Sequence, residues 1–270
     1  MRILIVATDL LMIDDLLSFS AQLVGRVEVA PMVMLVVEHT SPNLEVLQTQ
    51  IHTNGFFSRA QVKICIGKVG EQILKELDET HYDLVILEER TPLHRLARLW
   101  HKSPIGPVVE LTRCPVLIVR GKIREIDQIL LCDSGGETSP LLSRLTAQLA
   151  DLLAGEEQIT ILHVMSQISA GPGVAGKQLR AEAQELIAEC TPEGMLLAQD
   201  VQALAHPTVH PQPKVRHGLV LDEILNEARS GDYDLVVIGA HRSNGWQRFL
   251  LDNLAQKIIA QIDRPVLVVK

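Results

Sequence analysis

Short apolar runs without polar alternation recur along this chain. Ile3–Ala7, Met32–Val37, Val62–Ile66, Leu84–Leu87 and Val116–Val119 make a first set of candidate strands. Ile129–Cys132, Ile159–His163, Lys214–Arg216, Leu235–Ile238 and Val266–Val269 make a second. Continuous Val, Ile and Leu predict strands buried on both faces of a parallel sheet. Helical spacing of apolar positions appears between them, over Asp14–Leu23, Glu71–Glu79, Ser139–Leu153, Asp222–Arg229 and Asn253–Gln261. Strand and helix alternate, which predicts α/β units with right-handed crossovers and helices on both faces.

The pattern is stated twice. HYDLVILEER (81–90) recurs as DYDLVVIGAH (232–241), and CPVLIVRGK (114–122) recurs as RPVLVVK (264–270). RILIVATD (2–9) is echoed by DQILLCD (127–133). A repeat of this size is a whole domain, far longer than the roughly 20–50 residues of a solenoid unit. Two domains are therefore expected, residues 1–122 and 126–270, each long enough for its own core. The connecting GKIREID (121–127) is too short for independent tumbling, so the halves should touch. They differ most between their second and third strands. That interval is much longer in the second half, with a Gly/Pro stretch (Gly171–Gly176), a predicted helix (Lys177–Cys190) and HPTVHPQP (206–213).

Composition narrows the function. The net charge is −8 and no long basic run exists, which argues against nucleic acid as a partner. No segment reaches the ~18 consecutive apolar residues of a membrane span, and the first residues read as a strand rather than a signal peptide. Cys65, Cys114, Cys132 and Cys190 form no CxxC pair, and reduced thiols in a cytoplasmic protein are expected. His206, His210, His217 and His241 have no Cys or carboxylate at ligand spacing. No metal is expected there, and 206–213 reads as a solvated loop.

Ligands of open parallel sheets bind beyond the carboxyl ends of the strands, where strand order reverses. The first strand of each half ends on an acid, Asp9 and Asp133, which can accept from a ribose hydroxyl or an adenine amino group. Each can equally be a cap that begins the next helix. After the fourth strand of the second half comes GAHRSNGWQRFLLDNLAQKII (239–259). With DLVVIG before it, PVLVV after it and ILIVATD at the start, the chain resembles a tandem member of the universal stress protein family. That resemblance implies a Rossmann-like sheet of the adenine nucleotide alpha hydrolase type in each half, five parallel strands in the order 3-2-1-4-5.

Nucleotide-binding members of that family carry G-x-x-G, nine residues, then G-S/T. Glycines let backbone amides approach phosphates, and the Ser or Thr opens a helix whose N-terminus attracts anions. Here Gly239 keeps the first glycine, Arg242 takes the place of the second, and Asp252–Asn253 replace the G-S pair. Asp252 would stand beside phosphates. Like charges about 4 Å apart cost ~1 kcal/mol in water and ~4 kcal/mol at an effective dielectric of 20. Arg242 can offset this, and Asn253 can still cap the helix. In the first half Glu88, Thr91 and Lys102–Ser103 stand at the motif positions, and Pro104 and Pro107 remove two N–H donors. The implied nucleotide-binding candidates are Asp133, Val164, Gly239, Arg242 and Asn253 in the second half, and Asp9, Val37, Lys102 and Ser103 in the first. ATP, ADP or AMP is the implied ligand class, with the second half the stronger site. A P-loop, a GxGxxG fingerprint, a GxSxG elbow and a duplicated nucleophilic set are all missing from the sequence.

The resemblance also implies that last strands pair across a two-fold axis. Val116–Val119 and Val266–Val269 should therefore meet inside one chain as a pseudo-dimer, each opened by an edge-compatible proline, Pro115 and Pro265. Further homodimerisation would use other faces. The leading expectation is a non-catalytic, stress-response binding or regulatory module acting through an unidentified protein partner or a small ligand. A nucleotide switch with weak ATPase activity, and a regulatory partner of a membrane transporter or sensor kinase, are the alternatives.

Overall fold

The computed structural model describes residues 1–8, 13–38, 44–89, 103, 105–121, 123–133, 139–153, 157–165, 181–205, 209–239 and 253–270. The first half runs β1 (Ile3–Ala7), α1 (Ile13–Val24), β2 (Met32–Val37), α2 (Leu44–Thr53), a 3-10 turn (Gly55–Phe57), β3 (Gln61–Ile66), α3 (Val69–Glu79), β4 (Leu84–Glu88), α4 (Gly106–Leu111) and β5 (Val116–Val119). The second runs β6 (Gln128–Cys132), α5 (Ser139–Leu153), β7 (Gln158–Met165), α6 (Ala183–Ala188), α7 (Pro192–Leu204), β8 (His210–His217), α8 (Val220–Ser230), β9 (Leu235–Gly239), α9 (Asn253–Gln261) and β10 (Val266–Val269).

All ten strands belong to one sheet, ordered β3-β2-β1-β4-β5-β10-β9-β6-β7-β8. Each half is parallel with internal order 3-2-1-4-5. The halves join where β5 and β10 pair antiparallel, with Val266 opposite Ile118, Leu267 opposite Leu117 and Val268 opposite Val116. The two expected five-stranded sheets are thus continuous. Every residue of both joining strands is at most 3% exposed, so this seam lies in the core.

Burial on both faces explains the uninterrupted strand runs. Ile3, Ile5 and Ala7 face one apolar cluster, shared with α1, α5 and α7. Leu4 and Val6 face the other, shared with α3, α4, α8 and α9. Both clusters pass through both halves. Gly121 lets the chain turn at the seam: its φ is +70°, and a Cβ there would lie 2.0 Å from the Asp263 carbonyl oxygen.

Two expectations change. The predicted helix at Lys177–Cys190 is confined, among described residues, to Ala183–Ala188, and a second helix follows it. Cys190 takes a positive φ of 52°, and Thr191 caps α7 through Gly194 N ahead of Pro192. The other change concerns His210–Pro213, expected as loop and found as the start of edge strand β8. His210 N donates to Glu157 O and Gly218 N to Met165 O. Alternation then turns the backbone of Pro211 and Pro213 away from β7, where a missing N–H costs no ladder bond. His206 lies outside the described residues.

Candidate functional site

The strand order of each half reverses between its first and fourth strands, so the ligand-binding crevices expected of an open α/β sheet lie past β1/β4 and β6/β9. Because β5 and β10 are antiparallel, these two crevices open on opposite edges of the common sheet.

The first crevice is bridged by the protein itself. Glu88, the last residue of β4 and 8% exposed, accepts from Thr8 N (2.7 Å) and Thr8 Oγ1 (3.2 Å) at the end of β1. A carboxylate spans the space that a glycine would leave. Next to it, Glu89 and Arg120 form an ion pair at 2.6 Å, each side chain 6% exposed. Ser103 Oγ donates to Glu89 Oε1 at 3.2 Å, so its hydroxyl is engaged by a carboxylate. Burial pushes the Glu89 carboxyl up against the opposing pull of Arg120 and Ser103. Burial likewise lowers the Arg120 guanidinium, against the pull of Glu89. Desolvation outweighs attraction on both sides of this pair. Val37 closes β2 and is buried. Asp9 and Lys102 lie outside the described residues.

The second crevice is built differently. Gly239 ends β9 where Glu88 ends β4, so this position offers no side chain to reach β6. Asp133 N donates to Leu162 O at 3.1 Å, carrying the β6–β7 ladder one residue beyond β6. Since Cys132 is level with both Leu162 and Ile238, Asp133 is level with His163 and Gly239. Val164 follows His163 and is half-buried. Asp133, Val164 and Gly239 therefore share one strand edge, and Asp133 is buried, at 7% exposure. Asn253 opens α9, which the topology places on that edge because α9 follows β9. Arg242 and Asp252 lie outside the described residues.

A duplicated buried network escaped the sequence reading. Tyr82 Oη donates to Glu76 Oε1 at 2.6 Å, and Lys63 Nζ donates to Glu76 Oε2 at 2.5 Å. In the second half Tyr233 Oη (2.6 Å) and Lys214 Nζ (2.8 Å) donate to Glu227 Oε1, while Arg216 Nε donates to Oε2 at 2.5 Å. Burial alone would raise both carboxyls, but the hydrogen bonds from Lys63 and Tyr82, and from Lys214, Tyr233 and Arg216, hold them below the usual range. Burial and the neighbouring carboxylate push both tyrosines up. These groups tie α3 and α8 to the sheet. The signal was present, since Glu76…Tyr82-Asp83 matches Glu227…Tyr233-Asp234 at one constant shift.

A cavity of about 1100 Å³ lies past the start of β5 and the end of β10, with Thr80, Tyr82, Cys114, Leu141, Arg144 and Lys270 among its walls. None of Asp133, Val164 and Gly239 lines it. Among the described residues no group of His, Cys, Asp and Glu is placed to hold a metal ion, and no helix is long and apolar enough to cross a membrane.

The fold is shared with proteins of known structure. A functionally unknown protein from Pseudomonas aeruginosa PAO1 superposes with a TM-score of 0.67 at 17% identity, over 100% of this chain and 92% of its own. A universal stress protein from Archaeoglobus fulgidus DSM 4304 gives 0.61 at 13% identity, over 100% and 98%. The cytoplasmic domain of a prokaryotic cation chloride cotransporter gives 0.52 at 14%, over 99% and 94%. Identities this low establish a shared fold and nothing finer. No curated protein matches the chain. The family model described as the universal stress protein family matches residues 125–270, more than half of the sequence. With the five-stranded order stated twice in one sheet, this chain belongs to the universal stress protein family.

Proposed function

We propose that this chain is a non-catalytic binding and regulatory module of the stress response, built of units 1–122 and 126–270, whose second unit takes an adenine nucleotide. The observation that carries this reading is the contrast at the fourth strand ends. Glu88 spans the first crevice to Thr8, whereas Gly239 at the matching position brings no side chain into the second. The groups of the second crevice fit such a ligand chemically. The Asp133 carboxylate would accept from ribose hydroxyls or the adenine amino group, and backbone near Val164 would meet the base. Gly239 permits close backbone approach to phosphates, and the N-terminus of α9 favours their charge. Arg242 would offset Asp252.

Calorimetric titration of AMP and ATP into wild type and Asp133→Ala tests this. Micromolar binding lost in the variant is expected. A silent wild type, with no nucleotide released on denaturation, would overturn the nucleotide reading and leave a protein partner as the object of regulation.

A second reading has one observation in its favour, the likeness in fold to a cotransporter's cytoplasmic domain along 99% of this chain. In that reading the chain regulates a separate membrane protein. Crosslinking in membranes would recover such a partner, and recovery of soluble proteins alone would count against it.

A further inference from the structure

We propose that Arg120 is a positioning residue for the second half's ligand site, acting through α9; the ligand part of this inference rests on the nucleotide reading above. Arg120 leaves the end of β5 and crosses the seam. Its Nη1 donates to Ile259 O (2.6 Å) and Ile262 O (3.3 Å), the carbonyls at the C-terminal end of α9. Its Nη2 is 2.6 Å from Glu89, which Ser103 holds in turn. One buried guanidinium thus fastens the end of β4 in the first half to a helix of the second.

Its burial is costly and its bonding incomplete. Arg120 is 8% exposed, and among the described residues neither Nε nor Nη2 makes a well-directed hydrogen bond. Buried ion pairs are often worth no more than well-packed apolar residues of similar volume. Stability alone is therefore a weak reason for this one. What Arg120 does secure is geometry. A cation at a helix C-terminus opposes the negative end of the dipole and satisfies carbonyls without intrahelical partners. α9 is a span of nine residues, about 13 Å long, so fixing one end fixes the amides at the other. That other end is Asn253, on the second crevice.

The pseudo-two-fold supplies an internal control. Lys270, which follows β10 as Arg120 follows β5, donates from Nζ to Glu110 O (3.0 Å) and Thr112 O (2.7 Å) at the C-terminal end of α4. Gln256 Nε2 joins the two helices through Glu110 Oε1 at 3.1 Å. The clasps are related by the pseudo-two-fold, but their far ends differ. α4 has six residues with Pro107 in its first turn, and the first crevice is bridged by Glu88. Of the two clasps, the Arg120 one ends on the crevice to which Gly239, at the position of Glu88, brings no side chain.

The test uses the full chain as wild type, Arg120→Met, Arg120→Lys and Lys270→Met, with hydrogen exchange of α9 amides and calorimetric titration of AMP. Arg120→Met is expected to speed exchange over 253–261 and to weaken AMP binding roughly three- to thirty-fold, the range of couplings carried by side-chain networks. Arg120→Lys, which copies Lys270 at the equivalent position, should recover most of both. Lys270→Met should loosen α4 and leave AMP affinity within about two-fold of wild type. Wild-type AMP affinity in Arg120→Met, or equal weakening by Arg120→Met and Lys270→Met, overturns the proposal. A wild type that binds no AMP overturns the nucleotide reading and the ligand part with it. Exchange then decides the clasp alone: unchanged α9 protection in Arg120→Met refutes it. Should Arg120→Met fail to fold, Arg120→Gln, whose amide can still meet one carbonyl, takes its place.

Discussion

Removing one hydroxyl from each half compares the duplicated networks directly. Tyr82→Phe and Tyr233→Phe keep the ring, including the Arg2 guanidinium over Tyr82 at 5.2 Å from its centroid. Each deletes a 2.6 Å hydrogen bond to a carboxylate side chain that is 4% exposed or less. A hydrogen bond to a charged group is worth about 1.5–3 kcal/mol. The two losses should differ. Without Tyr233, Glu227 keeps hydrogen bonds from Lys214 and Arg216, so its cost falls near the lower end, about 1.5 kcal/mol. Without Tyr82, Glu76 keeps one cationic hydrogen-bond partner, Lys63, whose side chain is 43% exposed and therefore screened, so its cost rises toward about 2–3 kcal/mol. Each kcal/mol lowers Tm by about 2–4 °C in a chain approaching this size. Differential scanning calorimetry of the two variants reads both numbers. Neutral substitutions, or a larger loss for Tyr233→Phe, would refute the reasoning.

Gly121→Ala should cost about 1–3 kcal/mol, because alanine disfavours a φ of +70° and its Cβ would meet the Asp263 carbonyl, and thermal unfolding checks it. Leu117→Ala at the fully buried seam should cost about 2–5 kcal/mol by chemical denaturation, and a loss below about 1 kcal/mol would count against a packed seam. The folded-state pKa values of Glu76 and Glu227 are depressed, so their contribution is present above the unfolded carboxyl range and is lost as pH falls below that range through the depressed folded-state values. Wild type should therefore lose stability on acidification more steeply than Glu227→Gln, and parallel pH profiles would contradict that sign.

The fold was legible because the strands are buried on both faces. Ile3–Ala7, Met32–Val37, Val116–Val119 and Val266–Val269 could be bounded to the residue, since apolar runs stop where burial stops. β8 was not, because its prolines become compatible with a strand only once the edge and the alternation of donors are known. α7 was missed although Thr191-Pro192 is a sound helix start; Gly194, within its first turn, reads as a breaker. In the structure a Cβ at Gly194 would lie 2.0 Å from Leu186 O, so that glycine allows α6 and α7 to touch. The site was legible in part. Asp133, Val164 and Gly239 share one edge, as their strand-end positions imply. The Glu88–Thr8 bridge and the Arg120 clasp were not legible, because each depends on which strands lie side by side. A hint existed in the cations, Arg120 and Lys270, that follow the matching last strands.

Counting nucleotides per chain tests the central claim most directly. Native mass spectrometry with AMP or ATP should show one nucleotide per chain, lost in Asp133→Ala and retained in Val37→Ala. Two per chain, or one that survives Asp133→Ala, would contradict an account in which Glu88 closes the first crevice and the second alone takes the ligand.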